Sequence, residues 1–135
     1  MARAARYRYK TKRSRNPEEK EQIEFISYID KYKPGLSKLV WHTPNGGRRS
    51  LREGALFKKM GVRRGVPDIF IAVPSQGYHG FFIEFKSETG RTSKEQTEML
   101  SLLQELGYMC TVCRSSFDAI NKLSIYLGFG EIKNV

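Results

Sequence analysis

The chain has 135 residues, a length for one domain, and its 39% apolar and 12% aromatic content is enough for one core. With 24 Lys and Arg against 14 Asp and Glu, the formal net charge is +10, which points to a polyanionic partner, nucleic acid being the usual one. No run approaches the roughly 18 apolar residues of a membrane span, and no apolar stretch follows the basic N-terminus, which argues against a secretory signal but leaves an Arg-rich transit peptide open.

The charge is uneven. Residues 1–15 hold seven basic residues (Arg3, Arg6, Arg8, Lys10, Lys12, Arg13, Arg15) and no acid, leaving 17 basic against 14 acidic residues in 16–135. Residues 1–15 read as a basic tail, either a disordered solubilising arm or a DNA-touching one, and 16–135 as the folded domain. Asn16-Pro17-Glu18 has a cap residue, Pro at the first helical position and acids in the first turn. It predicts a helix to about Lys31 with Phe25, Ile26 and Ile29 on one side, ended by Pro34-Gly35. Lys38 to Thr43 reads as a short strand with Trp41 in the core, and Pro44 to Arg49 as a loop. Ser50 caps a second helix to about Met60, and Gly61 to Pro67 is a loop.

Asp68 to Val73 and Gly80 to Lys86 read as the two strands of a hairpin around Pro74-Ser75-Gln76-Gly77, the second apolar enough to be buried on both faces. Thr92-Ser93 opens a third helix in which Ser93 and Gln96 match the capping box. Met99, Leu100, Leu102, Leu103 and Leu106 give that helix a wide apolar face. Tyr108 to Cys113 is a strand, and Ser115 or Ser116 caps a last helix to about Leu127. The order αβ(α)ββαβα predicts an α/β fold, one mixed β-sheet flanked by helices.

Cys110 and Cys113 are three apart on a strand, so their side chains face opposite ways. His42 and His79 are isolated, which leaves no second pair to complete a zinc site. The cysteines read as structural, and a reducing, cytoplasmic setting follows.

The chemistry concentrates in one constellation. Asp68 begins one hairpin strand, and Glu84-Phe85-Lys86 lies on the other. Glu84 and Lys86, two apart, share a face, and hairpin pairing brings Asp68 to that face. Two carboxylates form a hard-oxygen site for Mg²⁺ or Mn²⁺, and such an ion binds a phosphate oxygen and lowers the pKa of a bound water. The Lys86 ammonium can orient that water or steady charge building on phosphorus. The bland alternative makes Asp68 a turn cap and Glu84–Lys86 a surface pair, yet charges interrupting an apolar strand need partners.

Pro67-Asp68 followed by Glu84-Phe85-Lys86 resembles the PD-(D/E)xK nuclease pattern. With Gly61 to Asp68, Phe82 to Lys86 and Gly90 to Gln96 in this order, the chain is similar to the virus-type replication-repair nuclease (VRR-NUC) branch from roughly Glu18 to Asp118. The resemblance implies a restriction-endonuclease-like core, Mg²⁺ or Mn²⁺ dependence, phosphodiester hydrolysis in DNA replication, repair or recombination, and a homodimer of the kind that resolves Holliday junctions. It also selects Glu18, one turn before Gln22, as the first-helix acid reaching the metal, with Glu21 and Glu24 competing, and Gln96 as a site residue. On its residues alone each first-helix acid could simply offset the helix dipole, and Gln96 could be a cap and nothing more.

Arg48, Arg49, Arg63 and Arg64 flank the constellation, with Arg52, Lys58 and Lys59 on the helix between, and are candidates for binding DNA phosphates or plain surface residues. His42 is either a lone histidine or a phosphate contact. The apolar Tyr126-Leu127-Gly128-Phe129, with residues such as Phe57, forms a subunit interface or packs back on its own domain. The competing functional class is a nucleic-acid-binding module in which the acids and Lys86 are a structural charge cluster.

Overall fold

A computed structural model describes residues 16–44 and 50–130. The basic tail and the loop carrying Arg48 and Arg49 lie outside the described residues. The elements in chain order are α1 (Pro17–Tyr32), a 3-10 turn (Pro34–Leu39), β1 (Val40–His42), α2 (Leu51–Lys59), β2 (Ile69–Ile71), β3 (Phe81–Phe85), α3 (Lys94–Glu105), β4 (Met109–Cys113) and α4 (Ser116–Tyr126).

Local chemistry sets most boundaries. Asn16 accepts the Glu18 N–H at 3.0 Å, Ser50 the Glu53 N–H at 3.1 Å and Ser115 the Asp118 N–H at 3.0 Å, each satisfying a donor that a helix start leaves open. Ser93 and Gln96 form a complete capping box. Where a strand was expected from Lys38, the chain instead makes the 3-10 turn through Leu39. Pro34 fixes φ at its first position, Leu36 N–H bonds Lys33 O at 2.8 Å, and pairing starts only at Val40.

The four strands form one sheet in the order β1-β2-β3-β4, antiparallel across the first two junctions and parallel from β3 to β4, which α3 connects. Period-2 alternation gives the sheet two faces. Ile69, Ile71, Phe81, Ile83, Phe85 and Cys113 point to one, where Phe25 and Ile29 of α1 and Ala119, Leu123 and Tyr126 of α4 close the core. The α1 and α4 residues recur at three- and four-residue spacing, one stripe per helix. Phe85, 1% exposed, lies 5.9 Å from the Phe25 ring; its truncation to Ala would cost about 3–5 kcal/mol.

The other face carries Trp41, Phe70, Phe82, Glu84, Cys110 and Val112, cross-strand partners by register, and α3 packs against β4. Trp41 is not a core residue: 47% exposed, it sets its ring edge-on to Phe70 at 5.2 Å, because it stands on the edge strand. Nor is the whole apolar face of α3 covered, since Leu102 and Leu106 are exposed and no α3 residue is fully buried. Tyr126 packs back on its own domain, its ring 4.8 Å from Phe81 and its hydroxyl donating to Val73 O.

Cys110 lies beside Phe82 and Cys113 beside Phe85, on opposite faces, both buried and free. Burial pushes their thiols up to about 11 and about 12, which keeps them protonated and unreactive. Among the described residues, no helix is long and apolar enough to cross a membrane.

Candidate active site

The β2–β3 register assembles the site. Ile69 pairs with Ile83, so the next antiparallel step sets Asp68 opposite Glu84. Asp68 is fixed from three sides. Its Oδ2 accepts the Phe85 N–H at 2.7 Å, and its backbone oxygen accepts the Thr43 N–H at 2.9 Å and contacts His42 Nδ1 at 2.8 Å. Buried Pro67 precedes it, and the loop before that runs tightly over the start of α3. Gly65 has φ +81°, and a Cβ there would stand 2.5 Å from Glu95 O, so only glycine fits.

Glu84 is 3% exposed. Its Oε1 accepts from Gln96 Nε2 at 2.8 Å and lies 3.5 Å from Lys86 Nζ. Among the described residues its Oε2 is buried with no hydrogen-bond partner. Burial, and then the charge on Asp68, push the Glu84 carboxyl up to about 7 against the pull of Lys86. Asp68 is also raised, by burial first, with Glu18 adding to the rise, while the Phe85 N–H, His42 and Lys86 oppose it. Two carboxyls both raised by burial, one of them with an orphaned buried oxygen, form a site short of positive charge.

A hard divalent cation fits that deficit, because it would give Glu84 Oε2 the partner it lacks and offset the repulsion from Asp68. Among the described residues no three His, Cys, Asp or Glu side chains form a group able to hold an ion, so Asp68 and Glu84 would be the acidic pair for it. Glu18 stands one layer away: its Oε1 accepts the Ser87 N–H at 3.2 Å, at the loop that follows Lys86. Its two competitors are used elsewhere. Glu21 Oε2 accepts the Ser116 N–H at 2.6 Å and Glu24 Oε2 the Ser116 hydroxyl at 2.9 Å, so both serve the N-terminus of α4.

Gln96 is at once a cap and a site residue. Arg63 and Arg64 are exposed beyond α2, and Arg63 Nη1 donates to Lys58 O at 3.2 Å. Sequence reasoning missed Arg114. It follows β4 directly, and its Nη1 donates to Ser87 O at 2.6 Å and Gly90 O at 2.7 Å, clamping the loop that Glu18 touches. An arginine between a strand and a helix cap carries no local signal for that contact.

The chain matches the family model of the VRR-NUC domain over residues 16–117. It belongs to the VRR-NUC family. A solved structure named "VRR_NUC domain protein" is similar to this chain, with a TM-score of 0.73 and 27% sequence identity over 88% of this chain and 94% of that one. No curated protein matches the chain. The family is of nuclease type, and the mixed sheet flanked by helices is its kind of fold.

Proposed function

We propose that this VRR-NUC domain is a divalent-metal-dependent endodeoxyribonuclease in which Asp68 and Glu84 hold Mg²⁺ or Mn²⁺ and Lys86 acts in phosphodiester hydrolysis. The observation that carries this reading is the buried, unpartnered Glu84 Oε2, set opposite Asp68 and beside the Lys86 ammonium. When bound, the ion supplies a positive centre for a phosphate oxygen and lowers the pKa of water.

The chain's own residues do the rest. Gln96 and the Phe85 N–H each hold one oxygen of a carboxylate, which leaves the other free to point at a ligand. Lys86 holds its ammonium 3.5 Å from Glu84 Oε1, where it can stabilise charge developing on phosphorus. Glu18 fixes the backbone just after Lys86. Arg63 and Arg64, just before Asp68 in the chain, with Arg48 and Arg49, would bind DNA phosphates and set the strand over the site.

The proposal extends to the working unit. One domain carries one such site and cuts one strand per engagement, whereas resolving a four-way junction takes two symmetry-related cuts. A two-fold homodimer supplies them, so branched DNA of the Holliday-junction type is the proposed substrate.

The test uses purified wild-type protein, Asp68→Asn and Glu84→Gln on labelled four-way junction and linear duplex with Mg²⁺, Mn²⁺ or EDTA. Cleavage by the wild type in either metal and by neither variant is expected, with the junction preferred. Cleavage in EDTA, or near-normal cleavage by Glu84→Gln, would overturn the metal assignment. DNA binding without any cleavage would leave the chain a nucleic-acid-binding module.

A further inference from the structure

The described residues leave α2 largely uncovered, with only Gly54 and Phe57 partly buried. It has nine residues and none is buried; Leu56 and the following cap residue Met60 are 54% and 71% exposed. A helix that short is not stable in water by propensity alone and draws its stability from a packed face. At 3.6 residues per turn, Arg52, Leu56, Lys59 and Met60 fall on one stripe, spaced i, i+4, i+7 and i+8. Arg52 and Lys59 form the basic side of that stripe and Leu56 and Met60 its apolar side, with the exposed Glu53 next to Met60.

α3 presents the complementary stripe. Its inner side, with Gln96, Met99 and Leu103, is partly buried. Its outer side lines up Glu95, Glu98, Leu102, Glu105 and Leu106, all exposed, with Leu102 at 51% and Leu106 at 58%. Among the described residues its one ion pair, Lys94 to Glu98 at 3.8 Å, joins two exposed side chains and is worth almost nothing. No described residue therefore holds these acids firmly.

We propose that α2 of one copy docks on the outer stripe of α3 of a second copy, and that the two-fold axis repeats this contact with the roles exchanged. The proposal rests on the homodimer of the preceding section and gives that dimer its surface. Charge decides among the occupants. DNA has no use for Leu56 and Met60 and would be repelled by Glu95, Glu98 and Glu105. An α2 against a second α2 would bring like charges together. α2 against α3 buries Leu56 and Met60 on Leu102 and Leu106 and sets Arg52 and Lys59 against the glutamates. A two-fold interface, in which patch i meets patch j and j meets i, makes that contact twice.

The experiment is a charge exchange read by analytical ultracentrifugation of the full chain. One variant carries Arg52→Glu and Lys59→Glu, the other Glu98→Lys and Glu105→Lys. All four positions are exposed, where substitutions leave folding largely intact, and thermal melting checks this. Each variant alone should dimerise about tenfold or more weakly than wild type, because both contacts then join like charges. Mixed one to one, the two variants should form a heterodimer of near wild-type affinity, since both contacts again join opposite charges. A misfolded variant would not be rescued in this way. Wild-type dimers whose affinity neither reversal changes, or reversals that mixing does not rescue, overturn the placement alone. A wild-type chain that remains monomeric overturns the placement together with the homodimer.

Discussion

Gln96 is tied to two structures at once: its side-chain nitrogen donates to Glu84 Oε1 at 2.8 Å while its oxygen accepts the Ser93 N–H, also at 2.8 Å. The backbone N–H can only donate, so it fixes which end of the amide is oxygen, and the NH₂ must then face the carboxylate. The start of α3 and the orientation of Glu84 are thereby one device. Capping and site roles, alternatives in the sequence, belong to the same side chain.

That coupling separates two substitutions. Gln96→Glu keeps an oxygen for the Ser93 N–H, so α3 should stay capped, with slow hydrogen exchange at the Ser93 amide as in wild type. Its second oxygen, however, meets Glu84 Oε1 where a donor stood. Cleavage should fall roughly 10–100-fold, the range for losing a group that orients a metal ligand. Gln96→Ala should lose activity and also about 1 kcal/mol of stability. Full activity in Gln96→Glu would make Gln96 a cap only.

The sequence carried what is local. Asn16, Ser50, Ser93 and Ser115 mark their own helix starts through contacts two or three residues away. The Asp68–Glu84 register follows from a hairpin with few ways to pair. What it did not carry depends on distant packing. Trp41 looks like core until β1 turns out to be the sheet edge. Glu21 and Glu24 look equal to Glu18 until α4 places Ser116 against them. The apolar pattern of α3 shows amphipathicity but not how much of it the sheet covers, and that uncovered remainder is what the proposed dimer contact uses.

The raised Glu84 carboxyl has a thermodynamic consequence. Its unfolded value is the ordinary 4.5 and its folded value about 7, so the folded chain holds this proton more tightly than the unfolded one. The associated stability is fully present below about 4.5 and is lost as pH rises through about 7, amounting to roughly 3 kcal/mol. Asp68, also raised, adds with the same sign. In EDTA the wild-type melting temperature should therefore fall between about pH 5 and pH 8 relative to Glu84→Gln. Mg²⁺ or Mn²⁺ should recover more stability at the higher pH, because cation and proton compete for the same oxygens. Parallel curves for wild type and variant would show that Glu84 does not titrate in this range.

Lys86 should act in the chemical step. Its ammonium sits 3.5 Å from Glu84 Oε1 on a side chain only 12% exposed, placed for the reacting group more than for distant phosphates. Lys86→Ala should lower the single-turnover rate about 10²-fold or more and leave DNA affinity in EDTA nearly unchanged. A fall in affinity with an unchanged rate would make it a binding residue instead.

Arg114 should act through the loop it clamps. Its Nη1 reaches the carbonyls of Ser87 and Gly90 at 2.6 and 2.7 Å, with Glu88 O at 3.4 Å, while Ser87 Oγ accepts the Gly90 N–H at 3.0 Å from inside the turn. The same turn presents the Ser87 N–H to Glu18, and Lys86 immediately precedes it, its own N–H on Cys113 O at 3.0 Å. Removing the guanidinium leaves the carbonyls exposed to water, so the stability cost should be small, about 1 kcal/mol. The effect should be local: faster hydrogen exchange at the Ser87 amide, whose bond to Glu18 depends on the turn, and a several-fold lower cleavage rate with DNA affinity intact. Arg114→Lys should recover part of both, since one ammonium can satisfy some but not all of the carbonyls a planar guanidinium reaches. Wild-type exchange at Ser87 in Arg114→Ala would show that the turn holds its shape without the clamp, and the rate would then be expected to stay at the wild-type value.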